Sequence, residues 1–352
     1  MLLGVIAHLH GQKTGITYYK DIEPIIHENC TSCHRPDGPG PFNLITYEDL
    51  KQHSEFIGYV TKTRYMPPWR ADPSFQTYSN QRLLSQQEIE AIQIWISQGL
   101  KKGKRPKQNR SLEDSVSFQT PDLVLEMEPY SILTSNKDDF RFFNLQSNLS
   151  TDQFVTRVEF VPGNKRLVHH SRLMIDTTHQ VRAINGMSSD DPGISRFEKY
   201  PPVDKFFYGW VPGNYSTEYP IGTGKRLFKQ SDIILNIHYA PNSRVDQVDK
   251  SKINLYFSRQ PVKSEVYTLA IAEESISNPP FLISANEKKT FYSKFGPIPI
   301  DIYPLAVLPH MHYLGKTFKA FAITPGGDAI FLAKIDDWDF RWQETYWFKD
   351  KL

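Results

Sequence analysis

Cysteine is nearly absent: two in 352 residues, both inside Cys30-Thr31-Ser32-Cys33-His34. With none left over, no disulfide framework can tie distant segments together. No apolar run approaches the ~20 residues needed to cross a bilayer, so no membrane span is expected. Acidic and basic side chains nearly cancel, 39 against 41, and no long basic face is visible, which gives no ground for nucleic-acid binding. Methionine is also scarce, six in all, so each one's position carries information. What the chain has in quantity is apolar material, 39% hydrophobic with 13% aromatic, enough for two or three domains.

The C-x-x-C-H run is the attachment pattern of a c-type haem, in which the thiolates of Cys30 and Cys33 add to the porphyrin vinyl groups and His34 becomes the proximal iron ligand. A thioredoxin-like redox pair has no need of His34, and a zinc site wants a second pair of ligands nearby. Covalent haem c is the reading, and because haem c is attached outside the cytoplasm, so is a periplasmic or otherwise extracytoplasmic location. The start, Met1 to Ala7, is apolar but short and lacks a basic leader, so export is inferred from the haem. For the sixth ligand, Met66 in Tyr65-Met66-Pro67-Pro68-Trp69 is the only methionine between the haem motif and the next, Met127. Two prolines fix the backbone after it, and Met is a common partner of His on electron-transfer haems. His53 and His27 compete for the position and read as ordinary surface or core histidines.

Residues 1–15 read as a leader or signal remnant. Residues 16–100 read as helical: Ile22, Ile25 and Ile26 have helical spacing with Asp21 as cap and Pro24 in a first turn. Thr46 and Asp49 frame a second start, with Leu50, Ile57 and Val60 on one face. Ser85 and Glu88 form a capping box ahead of the Ile89, Ile92, Ile96 stripe that Gly99 stops. Helix, haem motif, loop with Met and terminal helix is the order of a small cytochrome c domain. Residues 101–117 crowd Lys101, Lys102, Lys104, Arg105, Lys107 and Arg110 into a solvated linker. From 118 the pattern is all-β, with the best strands at Phe154 to Phe160, Ile233 to Tyr239, Ile253 to Phe257 and Thr317 to Ile323. Turns fall at Pro162-Gly163, Pro212-Gly213, Pro241-Asn242 and Pro325-Gly326-Gly327.

The β region holds a second group of metal-binding side chains: His169-His170, a single His179, His238, and His310-Met311-His312. Neutral imidazole suits copper and zinc, and no cysteine competes. On a strand, His310 and His312 share a face and can grip one ion while Met311 points away. His169 and His170 face opposite sides of a regular strand, so they share an ion only at a strand end or a bulge. His238 ends a run whose Ile233, Leu235 and Ile237 take the core face, which places it on the other face with Asn236. Spacing alone leaves the choice open between a metal site and hydrogen-bonded structural histidines.

Leu308-Pro309-His310-Met311-His312-Tyr313-Leu314-Gly315-Lys316 resembles the H-x-H-x-x-G-K stretch of the copper type II, ascorbate-dependent monooxygenases, the family of peptidylglycine α-hydroxylating monooxygenase and dopamine β-hydroxylase. Arg166 to His170 resembles that family's paired-histidine motif, and Leu235 to Tyr239 its third ligand, all in the family's order. Tyr18, Lys20, Asp21, Ile22, Pro24 and Met66 to Trp69 resemble the cytochrome c domain fused to bacterial members. The likeness runs over roughly residues 16–352.

The resemblance implies a helical cytochrome c domain followed by two jelly-roll-like β-sandwiches, at 118–260 and 261–352, each carrying one copper. His169, His170 and His238 are implied to hold the electron-storing copper. His310 and His312 are implied to be catalytic, two of three ligands of the copper that meets dioxygen. The third is a methionine that the family places well downstream in the second sandwich. With the chain ending at Leu352, that methionine and several strands are expected to be missing. Met311 is a poor substitute, since strand geometry aims it away from its neighbours' ion. The implied activity is hydroxylation of a substrate C–H bond by dioxygen, with electrons relayed through the haem from ascorbate or an electron-donor protein. The substrate is a small or peptide-like molecule. The alternative is a non-catalytic electron-transfer or copper-binding cytochrome c fusion.

Overall fold

The computed structural model describes residues 15–36, 38–105, 119–214, 216–271, 273–350 and 352. The chain forms two compact units, one made of residues up to Arg70 plus Gln81 to Phe118, the other of Ala71 to Asn80 plus Gln119 to Leu352. It is mostly β with few helices, and the helices of seven residues or more all lie in the first unit.

In the helical unit a π-helical turn, Tyr18–Ile22, runs into α1, Glu23–Asn29. α1 carries Pro24 in its first turn as the sequence predicts, but its N-cap is Ile22 and not Asp21, and the π-helical turn before it follows Thr17. Asp21 instead reaches back to accept from the Thr17 backbone N–H at 2.8 Å. Both other starts are as the sequence indicates. Thr46 and Asp49 close a capping box on α2, Tyr47–Gln52, and α3, Ser54–Lys62, follows after a break at His53. Ser85 and Glu88 close another on α4, Gln86–Ser97, and Gly99 past its end has φ +80°, a conformation that favours glycine.

The face α4 buries is Ile89, Ile92 and Trp95, with Ile96 only packed at its margin. Trp95 is fully buried against a core that includes Tyr18, Ile22 and Leu50, and its indole N–H donates to the Lys101 carbonyl at 3.0 Å. The side chains of Lys101 to Arg105 are exposed, as expected of a solvated stretch, while the backbone is tied to the helical unit. Lys101 accepts from the Tyr18 N–H at 2.9 Å, Lys102 pairs with Glu48 at 3.6 Å and Arg105 with Glu23 at 3.3 Å. Residues 106–117 of that linker lie outside the described residues.

The β unit is built on two facing sheets, with strands numbered in chain order. One contains β1 (Leu123–Glu126), β4 (Gln153–Val161), β7 (Thr217–Glu218), β8 (Thr223–Leu227), β11 (Lys252–Phe257) and β12 (Ser264–Glu265), in the order β1-β11-β4-β8-β12 with β7 beside β4. The other has the order β3-β9-β5-β6, from β3 (Asp139–Gln146), β5 (Val168–Asp176), β6 (Asp204–Trp210) and β9 (Asp232–Tyr239). Val155, Val158, Ile253 and Leu255 of the first meet Leu173, Ile175, Ile233, Leu235 and Ile237 of the second in one apolar core. The inward isoleucines of β9 are those the alternation assigns. A short pair joins β2 (Tyr130–Ser131) to β10 (Val248–Asp249).

Beyond β12 the described strands are β13 (Ala306–Val307) paired with β16 (Tyr346–Trp347) and a hairpin of β14 (Phe318–Ile323) with β15 (Ala329–Ile335), turned at Gly327. The four strands singled out from the sequence are present as β4, β9, β11 and β14. Residues 119–352 cluster as one unit rather than dividing near 260. The β unit also recruits Ala71 to Asn80, a stretch assigned to the cytochrome domain on sequence. Ala71 bridges to Ile335 and Tyr78 to Phe348, both antiparallel. The Tyr78 ring is buried 5.1 Å from that of Tyr346.

Candidate metal centres

β5 pairs Val168 with Tyr239 and then His170 with His238, so one residue, His169, is extra on its strand. That bulge defeats the alternation that sends adjacent side chains to opposite faces, and it turns both imidazoles toward His238. The Nδ1 atoms of His169 and His170 lie 3.4 Å apart, and those of His238 and His170 3.1 Å apart. Two ligand nitrogens on one ion with bonds of ~2.0–2.1 Å and a tetrahedral angle stand ~3.3 Å apart. One ligand atom from each of the three residues falls within 4.8 Å of the others, so this group could hold a metal ion.

Burial, the largest cause, lowers the pKa of all three, to about 4 at His169 and about 2 at His170, with His238 lowered less far against the pull of Asp138. Repulsion from the neighbouring imidazoles adds to this at His169 and His170. All are therefore neutral at pH 7, the form that ligates. Asp138 fixes the third ring: its Oδ1 lies 2.7 Å from His238 Nε2, so Nε2–H donates and Nδ1 is left with its lone pair. The Phe140 ring stacks on His238 at 4.2 Å. His179 is elsewhere, beside Asp232 at 3.5 Å, and takes no part.

His310 and His312 sit in the turn region between β13 and β14, not on a strand. The i, i+2 face argument for them therefore does not apply, yet their Nε2 atoms are 3.2 Å apart. Gln343 Oε1 lies 2.5 Å from His310 Nδ1, so the ring donates there and keeps Nε2 unprotonated. Both histidines are exposed. Among the described residues no third His, Cys, Asp or Glu joins them in a cluster. Tyr313 donates its hydroxyl to Asp138 Oδ2 at 3.0 Å, and the Phe340 ring lies 5.8 Å from His312 and 6.4 Å from His238. The pair and the triad thus share Asp138 and Phe340 as neighbours.

In the helical unit, Cys30 and Cys33 follow α1 and are not joined in a disulfide. Burial, with the neighbouring Cys33 thiol, pushes Cys30 up to about 12. His34 is held neutral by burial, and its Nδ1–H donates to the Phe42 carbonyl at 3.0 Å, leaving Nε2 as the open ligand atom. Gly40 allows this closeness, because a Cβ there would stand 2.8 Å from His34 Nδ1. His53 stacks on Phe42 at 3.9 Å and so occupies a packing role. Met66 lies in the loop after α3, its backbone N–H bonded to the Val60 carbonyl at 3.1 Å. This donor set, two partly buried thiols and one oriented imidazole, is the set a thioether-linked haem would use.

Asp138, Gln343 and Phe340 escaped the sequence reading. Asp138 is 100 residues from the histidine it orients, and Gln343 is 33 from its own. No local pattern marks either. No family model matches the chain, and no curated protein matches it.

Proposed function

We propose that this chain is a copper-dependent oxidoreductase of the periplasm or another extracytoplasmic space, which hydroxylates a C–H bond of a small or peptide-like substrate with dioxygen. The observation that carries the reading is the coexistence in one β unit of two convergent imidazole sets, three Nδ1 atoms at His169, His170 and His238 and two Nε2 atoms at His310 and His312. Nitrogen-only sets of this kind favour copper over other divalent ions by affinity. Copper bound there would supply one-electron chemistry for the reduction of dioxygen. The resemblance of the H-x-H-x-x-G-K and paired-histidine stretches supplies the reaction class, and it implies jelly-roll sandwiches around these sheets.

Covalent haem c at Cys30 and Cys33, with His34 and Met66 as axial ligands, would serve as the electron entry, drawing on ascorbate or a donor protein. The chain's own part is to keep His169, His170, His238 and His310 neutral by burial, to orient His238 through Asp138 and His310 through Gln343, and to hold His34 on the Phe42 carbonyl. Against catalysis stands one observation, the exposed pair at His310 and His312, which no third His, Cys, Asp or Glu joins among the described residues. It favours the second reading, an electron-transfer or copper-binding protein.

Copper stoichiometry by equilibrium dialysis, combined with oxygen uptake under ascorbate, separates the two. Two copper ions and substrate-dependent uptake support the oxygenase. One tightly held ion and no uptake support the carrier. No copper at all overturns both.

A further inference from the structure

The loop after Cys33-His34 is pinned by its backbone and by one ring. Gly40 N–H donates to the Cys33 carbonyl at 3.0 Å, and Leu44 N–H to the His34 carbonyl at 2.8 Å. Phe42 lies between these two clamps, and its own carbonyl accepts from His34 Nδ1–H at 3.0 Å. The Phe42 ring stands 5.1 Å from that of His34, and His53 stacks on it at 3.9 Å with the two planes 16° apart. His53 is itself firmly placed. It is the residue at which α2 ends and α3 begins, and its carbonyl accepts the Ile57 N–H at 2.9 Å. Ile57 in turn is buried in the helical core. Phe56, three residues along from His53 and so on the same side of α3, meets the Phe42 ring edge-on at 6.3 Å. A helix start thus grips, through side chains alone, the loop residue whose carbonyl orients His34.

We infer that His53 is a positioning residue for the proximal ligand of the haem: acting through the Phe42 ring, it fixes the carbonyl that receives the His34 Nδ1 proton, and so sets the reduction potential of the iron. The inference rests on the haem c reading and gives a role to a histidine which that reading leaves idle. An imidazole that donates strongly from its far nitrogen is a better electron donor through the ligating one, and a stronger donor favours ferric over ferrous iron. Loosening Phe42 weakens that hydrogen bond, so the ferrous state gains and the potential rises. What His53 contributes is a flat face against a flat face. Another planar ring at 53 can supply that face, whereas neither the charge nor the lone pair of imidazole is needed.

Redox potentiometry of the full chain matured with haem tests this, on the parent and on His53→Ala, His53→Phe and Phe42→Ala. At a poise equal to the parent midpoint, His53→Ala should raise the ferrous-to-ferric ratio about threefold, which is ~28 mV for one electron. Phe42→Ala keeps the backbone carbonyl and loses the ring, so it should move the ratio the same way. The double variant should go no further than the larger single change, because both remove one contact. His53→Phe should return the parent value. The near-infrared Met–iron band should persist throughout, since the sixth ligand is untouched. Should His53→Ala fail to fold, His53→Phe against Phe42→Ala carries the same comparison. A parent-like potential in His53→Ala overturns the inference. So does a full shift in His53→Phe, which would trace the effect to the imidazole's charge, or loss of the Met–iron band in His53→Ala, which would make His53 a ligand. Haem that washes off the parent in acid–organic extraction overturns the haem reading and this inference with it, whereas haem retained without a shift overturns this inference alone.

Discussion

The Asp138 carboxylate lies 2.7 Å from His238 Nε2, and with its other oxygen it accepts from Tyr313. One acid thus sets the tautomer of a triad imidazole and touches the residue next to His312. Carboxylates in this position orient ligating imidazoles, and their loss typically costs about 10–100-fold in metal affinity. Asp138→Asn is therefore expected to lower copper affinity of the triad by that factor, measured by competition with a chelator, with the fold unchanged by circular dichroism. Unaltered affinity would mean that His238 is held by packing on Phe140 alone.

Removing a ligand outright should do more. His238→Ala leaves two imidazoles, and copper retention through gel filtration should fall by orders of magnitude, since ligand number governs affinity when ligand type is constant. His179→Ala, outside the cluster, should retain copper like the parent chain.

Acid should unfold the metal-free protein through the same residues. In the unfolded chain each histidine titrates near pH ~6.5, whereas burial lowers His169 to about 4 in the fold. Between those values the unfolded state binds more protons, so stability is full above pH ~6.5 and is lost as pH falls toward the folded value. The urea midpoint should drop between pH 7 and pH 5, and His169→Gln should flatten that drop. A midpoint indifferent to pH in this window would refute the assignment of neutral buried rings.

The helical unit offers a spectroscopic check. Expressed with a cytochrome c maturation system, the protein should keep its haem through acid–organic extraction, and a Cys30→Ser, Cys33→Ser double change should abolish that. Oxidised protein should show the weak near-infrared band of Met–iron coordination, and Met66→Ala should remove it. A band that survives assigns the sixth position to another residue, with His53 the first to examine.

Trp95 is fully buried and hydrogen-bonded at its indole N–H. Trp95→Ala should cost about 3–5 kcal/mol in urea unfolding, the range for large-to-small core changes. A loss under ~1 kcal/mol would mean that the helical core collapses around the gap.

What was legible in the chain was what is local. Capping boxes at Thr46 and Ser85 and the inward isoleucines of β9 depend on residues three apart or alternating, so they read directly. The bulge at His169 was foreseeable only as a condition, because a sequence shows that adjacent histidines cannot share a regular face without showing where the ladder slips. Asp138 and Gln343 were not legible, since nothing local distinguishes an acid or an amide that folding carries to a distant ring. Trp95 replaced Ile96 in the stripe because the Lys101 carbonyl gave its indole a partner, and that partner comes from a segment read as linker. His310 and His312 converge from a turn region, where strand periodicity has no force.

The recruitment of Ala71 to Asn80 bears on how such a chain could have been assembled. Its backbone is stitched to the later strands at Asp72 to Lys334 and Ser79 to Trp347, both 2.8 Å, and its Tyr78 hydroxyl donates to Leu332 at 2.8 Å. The polypeptide therefore leaves the helical unit, completes part of the β unit, and returns to finish the helices with α4. The two units are not beads that a recombination event could exchange by a single cut. Excision of residues 1–118 would take Tyr78 from between Tyr346 and Phe348 and leave both rings with an open flank.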